Sequence, residues 1–506
     1  MTSSPAAVMW FRRDLRLLDN PALLAASRQG PVVPLFVLDP ALLRPAGAPR
    51  VAFLARALRA LDEDLRRYGS RLTIRAGRPE EVVPKVALEV GAASVHAAED
   101  FGPYGVARDR RVAAALGTVP LIKTGSAYAV RPGLLTSAGG EPYRVYSAFS
   151  RAWHAHGYPP PAASDPAAVH WGPFLGQDVL PEPALRPGLP LLPEAGEQAA
   201  LEAWRRFCAG ALARYAEDRD RPGLEGTSRL SAYLKWGMVH PRTLLADLGR
   251  WAQAPLSCQH RSSTCQHGPA RGGDDRRRRA AERFRAELVW REFYAAVLAA
   301  WPASARSAFQ GRFANVPWDN DPVRWKAWAE GRTGYPLVDA GMRQLLAEAW
   351  VHNRVRMVTA SFLVKDLHQD WRRGARHFMA HLVDGDIASN QHGWQWTAGT
   401  GTDAAPYYRV LNPVTQAKRF DPDGTYVRRW VPELRGVEER WLFEPWRAPG
   451  GPPEGYPPPL VDHSIERERS LVQLAPRVRA AKPGRAAKPG PGATPGPAAK
   501  PGPAAS

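Results

Sequence analysis

The sequence predicts two domains, an N-terminal α/β domain built on a parallel, Rossmann-like sheet and a C-terminal domain made only of α-helices. Three observations lead to this prediction. The chain has 506 residues, more than a single hydrophobic core usually supports. Before residue 150, short apolar runs alternate with amphipathic stretches, which is typical of strand–helix–strand units. After residue 200, apolar positions recur mostly at helical spacing.

The α/β domain is assigned to residues 1–135, where five short apolar runs predict β-strands. Between the second and third runs, residues 53–68 place Phe53, Leu58 and Leu65 at helical spacing. Helices between successive strands are what a parallel sheet requires. The five predicted strands are residues 8–11, 32–38, 72–74, 94–96 and 120–122.

Residues 136–200 are assigned to an interdomain linker, because periodicity is lost where proline becomes frequent. Three prolines follow Tyr158, and further prolines recur up to residue 193. The helical domain then covers residues 201–465. It carries most of the aromatic chemistry, since 17 of the 18 tryptophans lie beyond residue 150.

Two segments are predicted to be irregular. An insertion at residues 253–279 contains Cys258, His260, Cys265 and His267, which are residue types that bind zinc. Since no folding signal flanks them, we prefer a mobile loop and predict no metal. The end of the chain, residues 466–506, repeats Lys-Pro-Gly and is predicted to be a disordered basic tail.

Charge and cysteine content indicate the partner and the compartment. Lysine and arginine total 68 against 49 acidic residues, and the net charge of +19 attracts polyanions such as nucleic acid. A coding bias toward arginine explains this charge equally well. Three cysteines are too few for a disulfide framework. Because there is no signal peptide and no run of about 20 apolar residues, we expect a cytoplasmic protein with no membrane partner.

The first motif that indicates a ligand site follows Tyr215 and Arg219. The hydroxyl residues Thr227, Ser228 and Ser231 lie at the start of a predicted helix. Hydroxyls and free amides at a helix start can bind a phosphate group. For this segment alone, an ordinary helix cap is the alternative.

Two helical stretches each mix aromatic, charged and amide side chains on one face. A core stripe does not normally combine these types, so we interpret both faces as walls of a cavity. A solvated face with incidental aromatics is the alternative. The first face carries Glu287, Trp290 and Arg291, and the second carries Trp350, Asn353, Arg354 and Met357.

A third constellation combines acids, an amide and indoles around glycines. Asp384-Gly-Asp386 is followed by Asn390 and then by Trp394-Gln-Trp396. These residues offer many directional groups and few that fill a core. The motif therefore indicates a site for a polar, planar ligand.

Together these motifs resemble the class I cyclobutane pyrimidine dimer DNA photolyases of the photolyase/cryptochrome family. The resemblance extends from Trp10-Phe-Arg-Arg-Asp-Leu-Arg to Val461. It implies an enzyme, a deoxyribodipyrimidine photo-lyase, with an antenna-binding α/β domain and a helical domain that binds FAD. The remaining motifs are Thr227-Ser-Arg-Leu-Ser, Trp290-Arg-Glu-Phe-Tyr, Gly334-Tyr-Pro-Leu-Val-Asp, Trp350-Val-His-Asn-Arg-Val-Arg-Met, Asp384-Gly-Asp and Trp394-Gln-Trp.

The resemblance also implies a role for each matching residue. Asn390 would face the flavin N5 atom. Those at the cofactor are Tyr215, Arg219, Thr227, Ser228, Arg229, Leu230, Ser231, Glu287, Trp350, Asn353, Arg356, Asp384, Asp386 and Asn390. Those at a flipped-out pyrimidine dimer are Glu287, Trp290, Arg291, Asn353, Arg354, Met357 and Trp396. Those that relay an electron to the flavin are Trp318, Trp371 and Trp394.

The implied reaction is light-driven electron transfer from reduced FAD to the dimer, in a monomer bound to damaged DNA. The main alternative is a cryptochrome-like blue-light photoreceptor, against which Asn390 and Trp290 argue. A photolyase for the (6-4) lesion would be expected to carry a histidine pair at the pocket, where this chain has Trp350 and Met357. No residues suggest an ordinary flavin oxidoreductase.

The antenna prediction depends on a smaller set of residues. A glutamate typical of folate-binding relatives is absent near Gly105. The segments around the set resemble the type that binds 8-hydroxy-5-deazaflavin, which we prefer to 5,10-methenyltetrahydrofolate. The set comprises Phe36, Asp39, Arg50, Asp100 and Tyr104.

Overall fold

The N-terminal domain contains a five-stranded parallel sheet with the strand order β3-β2-β1-β4-β5. The structure is a computed structural model that describes residues 5–183, 192–253, 271–402 and 409–479. Each observed strand overlaps its predicted run, and the predicted fold class is confirmed. The strands are β1 Ala6–Phe11, β2 Val32–Leu38, β3 Thr73–Ala76, β4 Ala92–Glu99 and β5 Leu121–Ser126.

Helices cover both faces of this sheet, so the central strands β1 and β2 are buried along their whole length. Val8 and Val33 pack on one face, and Phe11 packs with Phe53 of a long helix on the other. The helices of the domain are α1 Pro21–Ser27, α2 Pro40–Leu43, α3 Ala48–Arg66, α4 Pro79–Glu89 and α5 Pro103–Ala115.

The predicted linker contains one helix, α6 Tyr146–His156, before a long irregular stretch. That stretch runs along the sheet, where Trp171 forms a parallel bridge with Val32 and Gln177 forms one with Ile74. The linker is therefore attached to the α/β domain over much of its length.

The second domain is helical, as predicted. A π-helical turn, Phe362–Asp366, directly follows one of its helices. Its α-helices are α7 Glu197–Ala209, α8 Tyr215–Asp218, α9 Ser231–Trp236, α10 Pro241–Gln253, α11 Arg271–Ala300, α12 Pro322–Glu330, α13 Pro336–Glu348, α14 Asn353–Ser361, α15 Trp371–His381, α16 Ile387–Ala398, α17 Pro413–Phe420, α18 Thr425–Trp430 and α19 His463–Arg479.

One hydrophobic core crosses the boundary between the two domains. Phe53 of α3 meets Tyr233 of α9 edge to face, with ring centroids 6.2 Å apart. The same cluster continues to Trp204 of α7 and Phe293 of α11. An ion pair of 2.6 Å between Arg13 and Asp386 also joins the domains. The two domains therefore share a packed interface.

Two predicted boundaries are wrong. Residues 271–279, assigned to the insertion, are helical, because α11 begins at Arg271, and α10 reaches Gln253 at the other end of the predicted range. Residues 466–479, assigned to the disordered tail, are helical, because α19 extends to Arg479. Leu474 of α19 is buried. The mixed composition of this segment gave no sign of a helix that packs on the core. Residues 480–506 lie outside the described residues.

Within the described ranges, no helix combines the length and the apolar character needed to cross a membrane. Among the His, Cys, Asp and Glu residues that the structure describes, no group of three is placed to hold a metal ion. Cys258, His260, Cys265 and His267 lie outside the described residues.

Candidate active site

Three helices of the second domain meet at the predicted site. α16 packs against both α11 and α14, and α8 packs against α11. The motifs that these elements carry are spread along the sequence from Tyr215 to Trp396. The fold therefore brings the hydroxyl segment and all three motif helices into one region.

An ion network connects the predicted cofactor residues to the predicted pocket residues. Arg219 forms an ion pair with Glu287 and its guanidinium lies 5.6 Å from the centre of the Tyr215 ring. Asp220, which the sequence analysis did not single out, accepts a bond of 2.9 Å from Arg354. Although burial opposes it, the charge of Arg354 holds the pKa of Asp220 below its usual value, with a contribution from Arg219.

The N-terminus of α14 is capped by His352, whose Nδ1 accepts from the main-chain N–H of Arg354 at 3.2 Å. Burial lowers the pKa of His352 to about 4, and the charges of Arg354 and Arg356 add to this effect. The imidazole is therefore neutral at neutral pH, as the cap requires. The helix then presents Asn353, which is exposed, and Met357, whose sulfur lies 3.8 Å from Arg354 Nη1.

Asp384 and Arg356 form an ion pair of 2.8 Å at the base of the site. Arg356 is held in place by a second bond, from its Nε to the carbonyl oxygen of Val351. The second carboxylate oxygen of Asp384 is buried and has no hydrogen-bond partner among the described residues. It is an acceptor that a ligand N–H or O–H could satisfy.

Asp386 caps α16 by accepting from Ser389 N at 3.1 Å, and it pairs with Arg13 of the α/β domain. Burial would raise its pKa, but the charges of Arg13, Lys235 and Arg291 outweigh burial and hold the pKa well below its usual value. The carboxylate is thus ionised and engaged across the domain interface.

Asn390 lies one turn into α16 with its amide nitrogen in two bonds. The nitrogen donates to the carbonyl oxygen of Ala375 at 3.1 Å and to Gln391 Oε1 at 2.9 Å. These bonds fix the amide and leave its oxygen as an acceptor.

The hydroxyl segment has an unusual backbone conformation at Arg229, where φ is +50°. The Ser228 hydroxyl accepts from Leu230 N at 3.4 Å, and Ser231 is exposed as the first residue of α9. The Arg229 guanidinium lies 4.3 Å from the centre of the Trp350 ring. The structure thus brings these two predicted cofactor residues together; Thr227 beside them is partly buried.

Arg291, predicted at the pocket, contacts groups at the domain interface in this structure. Its guanidinium donates to the carbonyl oxygens of Ala127 and Leu234 and lies 4.6 Å from the centre of the Tyr128 ring. Although helical spacing places Arg291 near Glu287, one step beyond Trp290 is enough to turn its side chain toward the domain interface.

The predicted relay tryptophans belong to one hydrophobic region. Trp371 and Trp394 are buried in the same cluster, and Trp318 packs against it. The Trp394 ring lies against α15 at Gly374, where an added Cβ would approach within 2.2 Å of it. Its ring contacts among the described residues are Trp328, at 6.1 Å between centroids, and Phe378, at 5.0 Å. The sequence analysis did not identify Trp328.

The predicted antenna residues divide into two groups. Asp39, directly after β2, accepts from the Tyr104 hydroxyl and caps α2, and Phe36 lies within β2. Asp100 pairs with Arg108 at 3.3 Å. Arg50 instead donates to the carbonyl oxygens of Met379 and Leu382, so it bridges to the helical domain.

Lys235, on α9, is a charged residue that the sequence analysis missed. Burial lowers its pKa to about 7, with a further contribution from Arg13, whereas Asp386 opposes the shift. The one signal in the sequence that could have identified Lys235 is a lysine on the face of α9 that is otherwise apolar. A small cavity in the α/β domain is lined by Arg13, Asp100 and Tyr128.

Comparison with known proteins agrees with this arrangement. Residues 7–167 match the DNA photolyase family, and residues 284–475 match the FAD binding domain of DNA photolyase. A deoxyribodipyrimidine photo-lyase from Synechococcus is 38% identical over 491 residues, covering 94% of this chain and 97% of the relative. This chain belongs to the photolyase/cryptochrome family.

Solved structures of the photolyase/cryptochrome family have the same fold. A bacterial class III photolyase from Agrobacterium tumefaciens is 35% identical with a TM-score of 0.81, covering 95% of this chain and 98% of its own. A cryptochrome from Synechocystis is 26% identical, also with a TM-score of 0.81, covering 94% of this chain and 100% of its own. The predicted enzyme class and the flavoprotein prediction are confirmed.

Proposed function

We propose that this chain repairs cyclobutane pyrimidine dimers in DNA by light-driven electron transfer from bound, reduced FAD. The observation that carries the proposal is the ion pair between Arg219 and Glu287. It joins the residues expected at the cofactor to those expected at the lesion. Residues expected to hold the donor and the acceptor therefore lie side by side, and direct electron transfer needs the two to be close.

The residues present fit FAD. Hydroxyls at Thr227, Ser228 and Ser231, beside the positive Arg229, suit the phosphates. The unpartnered oxygen of Asp384 suits an N–H of the ring system, and the fixed amide of Asn390 offers a second contact. Bound FAD would supply light absorption and the electron.

The pocket residues supply recognition of the lesion. The partly exposed indoles of Trp290 and Trp396 offer surfaces on which a flipped-out base can stack. Glu287 can accept from the pyrimidine N–H groups, and Met357 can fill an irregular apolar wall. A damaged step is cheaper to unstack than an intact one, which favours the lesion over normal DNA.

Four finer assignments belong to the same proposal. Class I specificity is supported by Trp350 and Met357. Electron relay to the flavin is assigned to Trp318, Trp371 and Trp394. The antenna is assigned as 8-hydroxy-5-deazaflavin, with 5,10-methenyltetrahydrofolate as the alternative, and the absorption spectrum of the chromophore released from purified protein distinguishes them. We further propose a cytoplasmic monomer.

The test is anaerobic repair. Reduced, FAD-loaded protein is mixed with a thymine-dimer oligonucleotide in blue light and in darkness, and the recovery of thymine absorbance is followed. We expect recovery only in light, and its loss in Trp290→Ala at unchanged flavin content. If fully reduced protein repairs nothing, while oxidised flavin is photoreduced in the wild type and not in Trp394→Phe, the chain is a cryptochrome-like photoreceptor instead.

A further inference from the structure

Trp290 has a stacking partner outside the helical domain. Tyr146, the first residue of α6 in the linker, lies face to face with the indole. The ring centroids are 3.6 Å apart and the planes differ by 3°. Two other ring pairs among the described residues are stacked, at interplanar angles of 15° and 13°, so this pair is the closest and the most nearly parallel of the three.

The tyrosine ring is itself held at both ends. Its hydroxyl donates to the carbonyl oxygen of Ala286 at 3.1 Å, one turn before Trp290 on the same helix. Phe293 meets the ring edge to face at 5.9 Å between centroids. Burial raises the pKa of Tyr146 to about 12, so the hydroxyl remains a donor at physiological pH.

This arrangement limits what Trp290 can do. Tyr146 covers one face of the indole, and no other ring among the described residues lies parallel to it. An incoming base can therefore stack only on the opposite face. The Tyr146 hydroxyl donates to the carbonyl oxygen of Ala286, the residue before Glu287, so the tyrosine is anchored next to the helix position that carries the ion pair of the pocket.

We propose that Tyr146 is a positioning residue for lesion recognition, acting through Trp290. It holds the indole in its stacking orientation before the lesion arrives, so that less side-chain freedom is lost on binding. The inference rests on the proposed function and extends it, because it makes the interdomain linker a component of the pocket.

The experiment uses FAD-loaded full-length protein and measures dissociation constants for a thymine-dimer duplex and for the undamaged duplex. Tyr146→Leu removes the stack at similar volume, and Tyr146→Phe keeps the stack but removes the hydroxyl. Tyr143→Leu is the matched control, because Tyr143 is a partly buried neighbour that packs on Phe149 at 6.3 Å and has no ring contact with Trp290.

We expect Tyr146→Leu to weaken dimer binding by about 3- to 10-fold, the range of an aromatic pair, and to leave undamaged DNA within about 2-fold. Tyr146→Phe and Tyr143→Leu should stay within about 2-fold for both duplexes. In Trp290→Ala, adding Tyr146→Leu should cause no further loss, because the partner through which Tyr146 acts is gone.

Three results would overturn the inference: wild-type dimer affinity in Tyr146→Leu, equal losses for both duplexes, or additive losses in the double variant. Flavin content and thermal unfolding of each variant separate a local effect from misfolding. A wild-type protein that does not distinguish the dimer from undamaged DNA would refute the proposed function itself, and the inference with it.

Discussion

His352 makes the end of α14 sensitive to acid, since its neutral Nδ1 is the acceptor that caps the helix. The folded pKa of about 4 lies below the unfolded value of about 6.5. Stability from the neutral form is therefore complete above about pH 6.5 and is lost as the pH falls toward 4. The difference corresponds to about 3 kcal/mol.

We expect His352→Asn, which keeps a capping acceptor and cannot be protonated, to remove this part of the acid destabilisation. The measurement is the free energy of unfolding in urea at pH 7 and at pH 4.5, for the variant and the wild type. If the two proteins lose the same free energy on acidification, the histidine cap is not the cause.

At the scale of residues, the sequence motifs indicated which side chains lie in the same region, but not which of them form ion pairs or ring contacts with each other. Glu287 and Arg219 were both predicted in the site, yet their ion pair joins α11 to the segment after α8 and has no periodic signal. Arg291 was grouped with Glu287 and Trp290 because the three share a helical face, but the spacing could not show that its guanidinium contacts Ala127 and Leu234. Tyr146 was missed because stacking across domains leaves no local pattern.

At the scale of elements, α11 carries several arginine residues in the turns that precede Trp290. Arg276, Arg283 and Trp290 are seven residues apart and so share a face. Arg279 and Arg283 are exposed, and the charge of Arg283 contributes to lowering the pKa of Asp220, after Arg354 and Arg219 and against burial. This face is well placed to contact phosphates that flank a lesion in the pocket.

We expect Arg279→Ala and Arg283→Ala each to reduce the salt dependence of duplex binding, by about 0.9 in the slope of log K against log[salt] for each phosphate that the variant no longer neutralises. Binding is measured between about 50 and 200 mM salt. Arg59→Ala is the control, because Arg59 is an arginine of α3 in the α/β domain, where it pairs with Glu182 away from α11. Slopes equal to that of the control would show that this face of α11 does not contact DNA.

The extents of the elements were predictable to different degrees. β2 was predicted correctly, because its seven buried apolar residues are flanked by breakers. α19 was not predicted, and the helical domain was ended at residue 465, because the core contacts this helix mainly through Leu474 and through polar pairs such as His368 with Glu466 at 2.8 Å. A helix held by polar contacts has no apolar stripe, so its sequence does not show the periodicity from which a packed helix is predicted.

For the whole molecule, the two-domain organisation followed from periodicity, but the strength of the interface did not. The ion pair of Arg13 with Asp386 joins residues 373 positions apart. Its side chains are only 23% and 12% exposed. Removing the arginine would leave a carboxylate in a poorly solvated place without its main partner.

We expect Arg13→Ala to reduce the free energy of unfolding by about 2 to 4 kcal/mol, somewhat less than for a fully buried pair. Arg214→Ala, which breaks the more exposed pair with Asp218, should change it by less than about 1 kcal/mol. Urea denaturation of both variants makes the comparison. Equal losses would mean that the interface pair is no more important than a surface one.

Glu292 shows how closely the linker and α11 are joined. Its buried carboxylate accepts from the main-chain N–H groups of Ala129 and Val130 and from the indole N–H of Trp153 in α6. The helix behind the pocket is thus fastened to chain that precedes the helical domain. The helical domain therefore cannot be transferred to another protein by itself. A chimaera would have to include residues 127–156, because without them the buried carboxylate of Glu292 loses its hydrogen-bond donors and α11 loses this attachment.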